Sequence, residues 1–336
     1  MKINLVSDSV WRITTIEQLL SASNINPNEW KVLKAKVNKR EWQSKNKDTG
    51  EVTITELFQV FADIAPLHPL LSTDIKAMLL DIFNDDVKKI RAKKHKGWWL
   101  LANINLADVH LGRQEEKDPI GYMNTIKDKT MRVFDKLLRD KPDSLLLTNI
   151  GDYYNSELDW YTSSGKNKQD NLMNSNEMFR IGLNSQIELI NTLSSELPTE
   201  VMIIWGNHDK GILHVMWDAL DIYYSKSNVS IDNELENRKY RDHGDVKLWF
   251  SHWDGEREKD LVSVFSNEHG LGKYNYHTRW HFHEGSVKQY GKLILDTLAS
   301  PAKPSNWERN KFTHVEGKIK GKLYDSKDGL ISEYQF

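Results

Sequence analysis

The 336-residue chain contains no cysteine. That removes disulfides, thiolate metal ligands and cysteine nucleophiles together, and it suits a reducing compartment. Any metal must then sit on His, Asp, Asn or Glu. No run of about 18 apolar residues is present, so nothing reads as a membrane span. The N-terminal stretch MKINLVSDSVWRITTIEQLL has one early lysine and no apolar segment ending in a small-residue cleavage site. No signal peptide is expected, and a cytoplasmic location with no membrane partner follows as the expectation. Internal repeats and long low-complexity tracts are missing too.

A large net charge is also lacking: 46 Lys/Arg oppose 48 Asp/Glu. That near balance hides an asymmetry. Residues 1–96 hold 16 basic against 12 acidic side chains, leaving 30 basic and 36 acidic for the rest. The skew sharpens over 31–47, where Lys31, Lys34, Lys36, Lys39, Arg40, Lys45 and Lys47 face Glu41 alone. Such a run suits either a solvated helix face or a surface that contacts phosphates, since Lys and Arg gain affinity by releasing counterions.

The pattern divides the chain into three parts. Thr14 or Thr15 can cap a first helix running through Ser21, with Ile16, Leu19 and Leu20 on one face. Asn24–Asn28 is turn chemistry, and Pro27 suits the start of a second helix over 28–42. Trp30, Leu33 and Val37 would face inward there, with the basic residues outward. A polar turn over Lys45–Gly50 and a strand over Glu51–Ala62 would follow. Helix, turn, basic helix and hairpin is the order of a winged helix-turn-helix, so residues 1–66 are expected to bind DNA through Lys34, Lys39 and Arg40. Residues 67–96 read as a helical basic linker, with a helix near 72–93.

From Gly97 to the C-terminus, apolar runs alternate with helical patterns. Runs at 98–106, 144–150 and 201–205 precede helices near 120–139, 176–196 and 211–224. After these the chain is mostly β. Each early run ends where polar residues begin, and sites in α/β sheets cluster at the carboxyl ends of strands. The loops that should meet carry Asp108-Val109-His110, Gly151-Asp152, Gly206-Asn207-His208-Asp209, Ser251-His252 and His281-Phe282-His283. Singly each motif is weak; five in this order, four of them directly after β-like runs, are not. Imidazole, carboxylate and amide oxygen together suit Mn²⁺, Fe or Zn²⁺.

This order resembles the calcineurin-like metallophosphoesterase superfamily, whose motifs run DxH, GD, GNH(D/E), H and GHxH. The resemblance covers residues 97–336 and implies a four-layer α/β/β/α sandwich. It implies one divalent metal on Asp108, His110, Asp152 and His283, and a second on Asp152, Asn207, His252 and His281. Mn²⁺ is the first expectation, with Fe, Zn²⁺ or Ni²⁺ as alternatives. A bridging hydroxide would be the nucleophile, His208 the general acid and Asp209 the support of its imidazole. Trp280 stands where the family has Gly, a position at which a tight turn would favour a residue free to adopt φ > 0.

The Trp30–Lys39 segment, Thr162–Asp170 and Leu298–Trp307 are also similar to a phage-type subgroup that joins a winged helix to this domain. More distantly, the chain is similar to double-strand-break repair nucleases. Together these imply a DNA phosphodiesterase or nuclease; the alternatives are a phosphomonoesterase on nucleotides or DNA ends, and a non-catalytic DNA-binding regulator. Trp160, Tyr161 and Trp307 read as core or linker packing, or as rings able to stack on a base. The remaining histidines, His277 included, read as ordinary core or surface residues.

Overall fold

The computed structural model describes residues 3–6, 13–23, 30–45, 52–66, 99–157, 160–164, 167–234, 236–252, 257–281, 285–304 and 317–336. The expected linker helix with its basic residues lies outside the described residues, as do His283 and Trp307. The chain divides into two compact units, Met1–Asp86 and Val87–Phe336.

The first unit is a three-stranded antiparallel sheet in the order β1-β3-β2, with β1 at Ile3–Val6, β2 at Trp30–Lys45 and β3 at Val52–Pro66. Helix α1, Ile16–Ala22, begins at Thr15 with a capping box: Gln18 N–H donates to the Thr15 hydroxyl, and the Gln18 side-chain oxygen accepts from the Thr15 N–H. Its Leu19 packs on Val60 and Ala62 of β3.

The helix expected over 28–42 is a strand instead, so the described residues do not carry a recognition helix there. Residues 30–45 pair with β3 from Trp30↔Pro66 to Lys45↔Val52. Lys, Ala and Leu are good helix formers, but intrinsic propensity is small per residue, and pairing along a whole strand overrides it. Lys34-Ala35-Lys36-Val37-Asn38 already alternates with the period of a strand. The register shift between Val32 and Lys34 disguises it. Lys34, Lys36 and Arg40 consequently share one face, while Lys39 lies on the other with Ala35 and Val37, its ammonium 5.9 Å from the Phe58 ring centre.

The second unit packs two sheets face to face. The larger has the order β14-β13-β4-β5-β6-β7. Its strands are β4 (Leu100–Leu106), β5 (Ser144–Ile150), β6 (Thr199–Ile204), β7 (Ser230–Asp232), β13 (Lys320–Asp325) and β14 (Gly329–Gln335). The smaller has the order β11-β12-β10-β9-β8. Its strands are β8 (Arg238–His243), β9 (Val246–His252), β10 (Tyr274–Trp280), β11 (Ser286–Tyr290) and β12 (Leu293–Thr297).

Leu146, Ile150, Met202 and Ile204 from one sheet meet Leu248, Phe250, Tyr276 and Trp280 from the other, forming the middle of the core. Helices α2 (Pro119–Arg139), α3 (Ser175–Ser194) and α4 (Lys210–Tyr224) associate with the larger sheet. On the smaller one α5, Leu261–His269, packs Leu261 and Phe265 against Trp249, Leu293 and Leu295. The result is four layers, helices/sheet/sheet/helix. β5 is buried along its whole length, as a parallel strand covered on both faces must be, which is why Leu145-Leu146-Leu147 runs without polar alternation.

The strands β4-β5-β6 are mutually parallel, as are β9-β10-β12. The carboxyl ends of β4, β5 and β6 therefore open side by side, and so do those of β9 and β10. No described helix is long and apolar enough to cross a membrane.

Candidate metal centre

The candidate donors lie at strand ends or in the loops that follow: Asp108 and His110 after β4, Asp152 after β5, Asn207 and His208 after β6, and His281 after β10, while His252 is the last residue of β9. Main-chain bonds tie the loops together: Asp108 N–H donates to the Gly151 carbonyl at 3.2 Å, His110 N–H to that of Asp152 at 2.9 Å, and Gly151 N–H to that of Ile204 at 2.7 Å. Asp108, His110, Asp152 and His281 adopt positive φ, at 46°, 49°, 48° and 113°. Left-handed backbone in non-glycine residues costs energy, and it clusters where a side chain must be aimed.

Two glycines make the approach possible. A Cβ at Gly206 would lie 2.7 Å from Cγ of Asp152, and one at Gly151, itself at φ 67°, would lie 2.6 Å from Cγ of His252.

The side chains converge on two groups that share Asp152: His110, Asp152 and His208, and Asp152, His252 and His281. Within each group the donor atoms lie within 4.8 Å of one another. Nε2 of His252 is 3.0 Å from Oδ1 of Asn207 and 3.3 Å from Oδ2 of Asp152. Nδ1 of His281 is 3.1 Å from that same Asn207 oxygen, and its N–H donates to Oδ2 of Asp108 at 3.4 Å. Donors bound to one ion at roughly 2.1 Å sit about 3–3.5 Å apart, so these spacings fit a shared cation. The structure thus brings together Asp108, His110, Asp152, Asn207, His208, His252 and His281.

Electrostatics favour positive charge at the same place. Burial pushes the Asp152 carboxyl up, but the neighbouring His252 and His208 rings outweigh it and hold the group well below the carboxylate range. Burial would likewise lower His252; the charge and hydrogen bond of Asp152, with Asp108 behind, raise it to about 9. A ring that keeps its proton between two carboxylates marks a site where a cation can replace that proton.

His208 is oriented by two contacts. Its N–H donates to Oδ1 of Asp152 at 2.8 Å, and Nδ1 of the ring lies 2.7 Å from the Asn155 carbonyl oxygen. Nδ1 therefore carries hydrogen, and Nε2, 4.0 Å from Oδ2 of Asp152, faces the donors. Asp209 does not meet this ring nitrogen. It is fully buried and accepts from Tyr154 N–H at 2.9 Å and Gly206 N–H at 3.3 Å, clamping the second loop to the third. Burial, then the charge of Asp152, raises its carboxyl well above the usual range.

Trp280 is accommodated without the flexibility of glycine. It ends β10 paired with His252, buried between the sheets, and the positive φ falls on His281 instead. His277 is a packing residue: it stacks on Trp249 at 4.1 Å and its Nε2 lies 2.7 Å from the Ser251 hydroxyl.

Sequence reasoning overlooked three supports. One is the Asn155 carbonyl. The others are Ser300, whose hydroxyl donates to the Asp108 carbonyl at 2.7 Å, and Ser164, whose N–H donates to that of Asn207 at 3.1 Å. Main-chain contacts of this kind leave no residue pattern, although Asn155 does stand just three positions after Asp152. Trp160 and Tyr161, a few residues before Ser164, are exposed.

The family model described as calcineurin-like phosphoesterase matches residues 104–299, more than half of the chain. No curated protein matches. Among solved structures the chain is similar to Vps29 of Chaetomium thermophilum, at 12% identity over 70% of this chain and 97% of that one, with a TM-score of 0.34. An archaeal phosphodiesterase shares 10% identity over 70% and 98%, with a TM-score of 0.36. Vacuolar protein sorting 29 from Cryptosporidium parvum shares 12% over 71% and 98%, with a TM-score of 0.32.

Proposed function

Because the chain belongs to the calcineurin-like phosphoesterase family, we propose that it is a two-metal phosphodiesterase acting on DNA. The observation that carries this reading is the shared carboxylate: Asp152 takes part in both donor groups. Asp108, His110 and Asp152, with His283, would hold one divalent cation, and Asp152, Asn207, His252 and His281 the other. The sulfur-free set suits Mn²⁺ and accepts Fe, Zn²⁺ or Ni²⁺. Bound there, two cations neutralise phosphoryl charge and lower the pKa of the attacking water.

The chain's own residues do the rest. His208, tied through Nδ1 to Asn155, presents Nε2 toward the donors and protonates the leaving oxygen from that atom. Asp209 keeps the loops of Asp152 and Asn207 in register.

DNA is favoured as substrate by exposed Lys34, Lys36 and Arg40 on one face of β2, a row of cations suited to a phosphate backbone. Purified protein with Mn²⁺ should shorten a labelled oligonucleotide, and a chelator should stop it. Release of phosphate from a terminally phosphorylated oligonucleotide without shortening would identify a phosphomonoesterase instead. Two bound metal equivalents with no hydrolysis of any ester would overturn the proposal.

A further inference from the structure

The segment that follows Asp152 leaves the site at Asn155 and returns to it at Asn171, and the two ends meet. Asn155 Nδ2–H donates to Oδ1 of Asn171 at 2.8 Å. Asn171 Nδ2–H donates to the Ser156 hydroxyl oxygen at 2.7 Å, and that hydroxyl donates to the Glu157 carbonyl at 2.9 Å. One side-chain amide thus grips the side chains on both sides of the Asn155–Ser156 peptide. That peptide supplies the carbonyl bonded to Nδ1 of His208.

Asn155 and Ser156 are buried, so a lost bond there leaves a polar group without ready access to water. Asn171 is itself anchored. It bridges to Arg113, and the next residue, Leu172, donates its N–H to the Gly112 carbonyl at 2.8 Å. Gly112 and Arg113 follow the His110 loop directly.

We infer that Asn171 is a positioning residue for His208: by holding the Asn155–Ser156 peptide plane, it fixes the direction of the carbonyl that orients the ring. The kinetic consequence rests on the phosphodiesterase reading, while the structural consequence does not. The position must bond both Asn155 and Ser156 at once, which the wild-type amide does by accepting from Asn155 and donating to Ser156. Alanine does neither. Aspartate keeps the acceptor for Asn155 and can take the Ser156 hydroxyl as donor.

The test compares wild type with Asn171→Ala and Asn171→Asp on two diesters, one with an alkoxide leaving group and one releasing nitrophenolate. Only the alkoxide needs a proton from the enzyme. Asn171→Ala should lower kcat on the alkoxide ester about 10- to 100-fold, part of what proton donation contributes. The nitrophenyl ester should change by less than about 3-fold, with metal content and melting temperature read on the same samples. Asn171→Asp should recover most of the loss.

An independent readout is the Nδ1–H resonance of His208 in histidine-¹⁵N-labelled, Zn²⁺-loaded protein, assigned by its disappearance in His208→Gln. It should be present in wild type and Asn171→Asp and broadened or absent in Asn171→Ala. If Asn171→Ala does not fold, Asn171→Asp and Asn171→Ser carry the comparison. Equal losses on both esters, no loss on either, or an unchanged His208 resonance would overturn the inference. Wild-type protein that hydrolyses neither ester would sink the phosphodiesterase reading alone, and the resonance would still decide the role of Asn171.

Discussion

Replacing Gly206 with alanine would put a methyl carbon 2.7 Å from Cγ of Asp152. Gly206 does not adopt positive φ, so the substitution tests contact rather than backbone strain. Ordinary carbon–carbon contact begins at about 3.5 Å, so the carboxylate must retreat by about 1 Å, and the Asp152 main-chain nitrogen, also closer than 3.0 Å, must shift with it. It cannot do so freely, because Oδ1 of Asp152 accepts the His208 N–H at 2.8 Å and the carboxylate belongs to both donor groups. Overpacking of this kind costs about 1–3 kcal/mol, and a displacement of about 1 Å at reacting groups costs on the order of 100-fold in rate. Gly206→Ala should therefore bind fewer than two metal equivalents by elemental analysis and hydrolyse a diester about 100-fold more slowly, while remaining folded by circular dichroism. The control is Gly270→Ala. A Cβ there meets nothing within 4 Å, although its φ of 73° makes alanine strained. It should lose stability while keeping metals and activity. A Gly206→Ala protein that holds two metal equivalents with a rate within 3-fold of wild type would refute the shared-carboxylate reasoning.

Three further outcomes are expected. His208→Gln should retain metal but lose about 10²–10⁴ in rate on a DNA phosphodiester, and far less on a nitrophenyl ester; equal losses on both would deny it the proton-donor role. Lys34→Ala with Arg40→Ala should weaken DNA binding and reduce the salt slope by about 1–2, whereas Lys39→Ala, on the opposite face of β2, should leave both close to wild type in a fluorescence titration. Glu258→Gln should alter acid stability. Partial burial raises the Glu258 carboxyl, but Tyr290, Lys288 and Arg279 outweigh this and hold it at about 2. Its folded pKa is depressed, so its stabilisation is complete above the ordinary carboxylate value and is lost as pH falls toward 2. Melting temperatures of wild type and Glu258→Gln should differ at neutral pH and converge near pH 2; a gap that persists there would show that the carboxylate is not its source.

The convergence of the candidate donors was legible because divalent-cation chemistry restricts residue types sharply. Asp108, His110, Asp152, Asn207 and His281 follow strand ends and His252 closes one, where chain order and strand polarity together predict convergence. The N-terminal unit was misread for a physical reason. Residues 30–45 contain good helix formers, and Trp30, Leu33 and Val37 mimic a helical face, yet the segment is held by pairing with β3, a partner that lies beyond the local window. β10 leaves no apolar run in the sequence because it buries polar residues, Asn275, His277 and Arg279. Asp209 shows the limit of motif reasoning. Its place beside His208 suggested support of the ring, but the carboxylate points back to Tyr154 and Gly206, and a main-chain carbonyl takes that role instead.

Trp280 shows how the fold and the donor geometry constrain one another. A glycine at the end of β10 would let the chain turn immediately, leaving the next residue relaxed. With tryptophan there, the indole stays in the sheet-to-sheet core, and the turn moves one residue on to His281 at φ 113°. Such a φ costs a non-glycine residue about 1–3 kcal/mol, and full burial of a large aromatic side chain contributes at least a comparable amount. The exchange is therefore close to neutral for stability. It is not neutral for geometry, because the strained residue is itself a candidate donor. The His281 main chain is held by its N–H bond to Asp108, so the backbone that aims one imidazole is fixed by a carboxylate proposed for the neighbouring ion. The two halves of the site are thus coupled through the main chain as well as through Asp152.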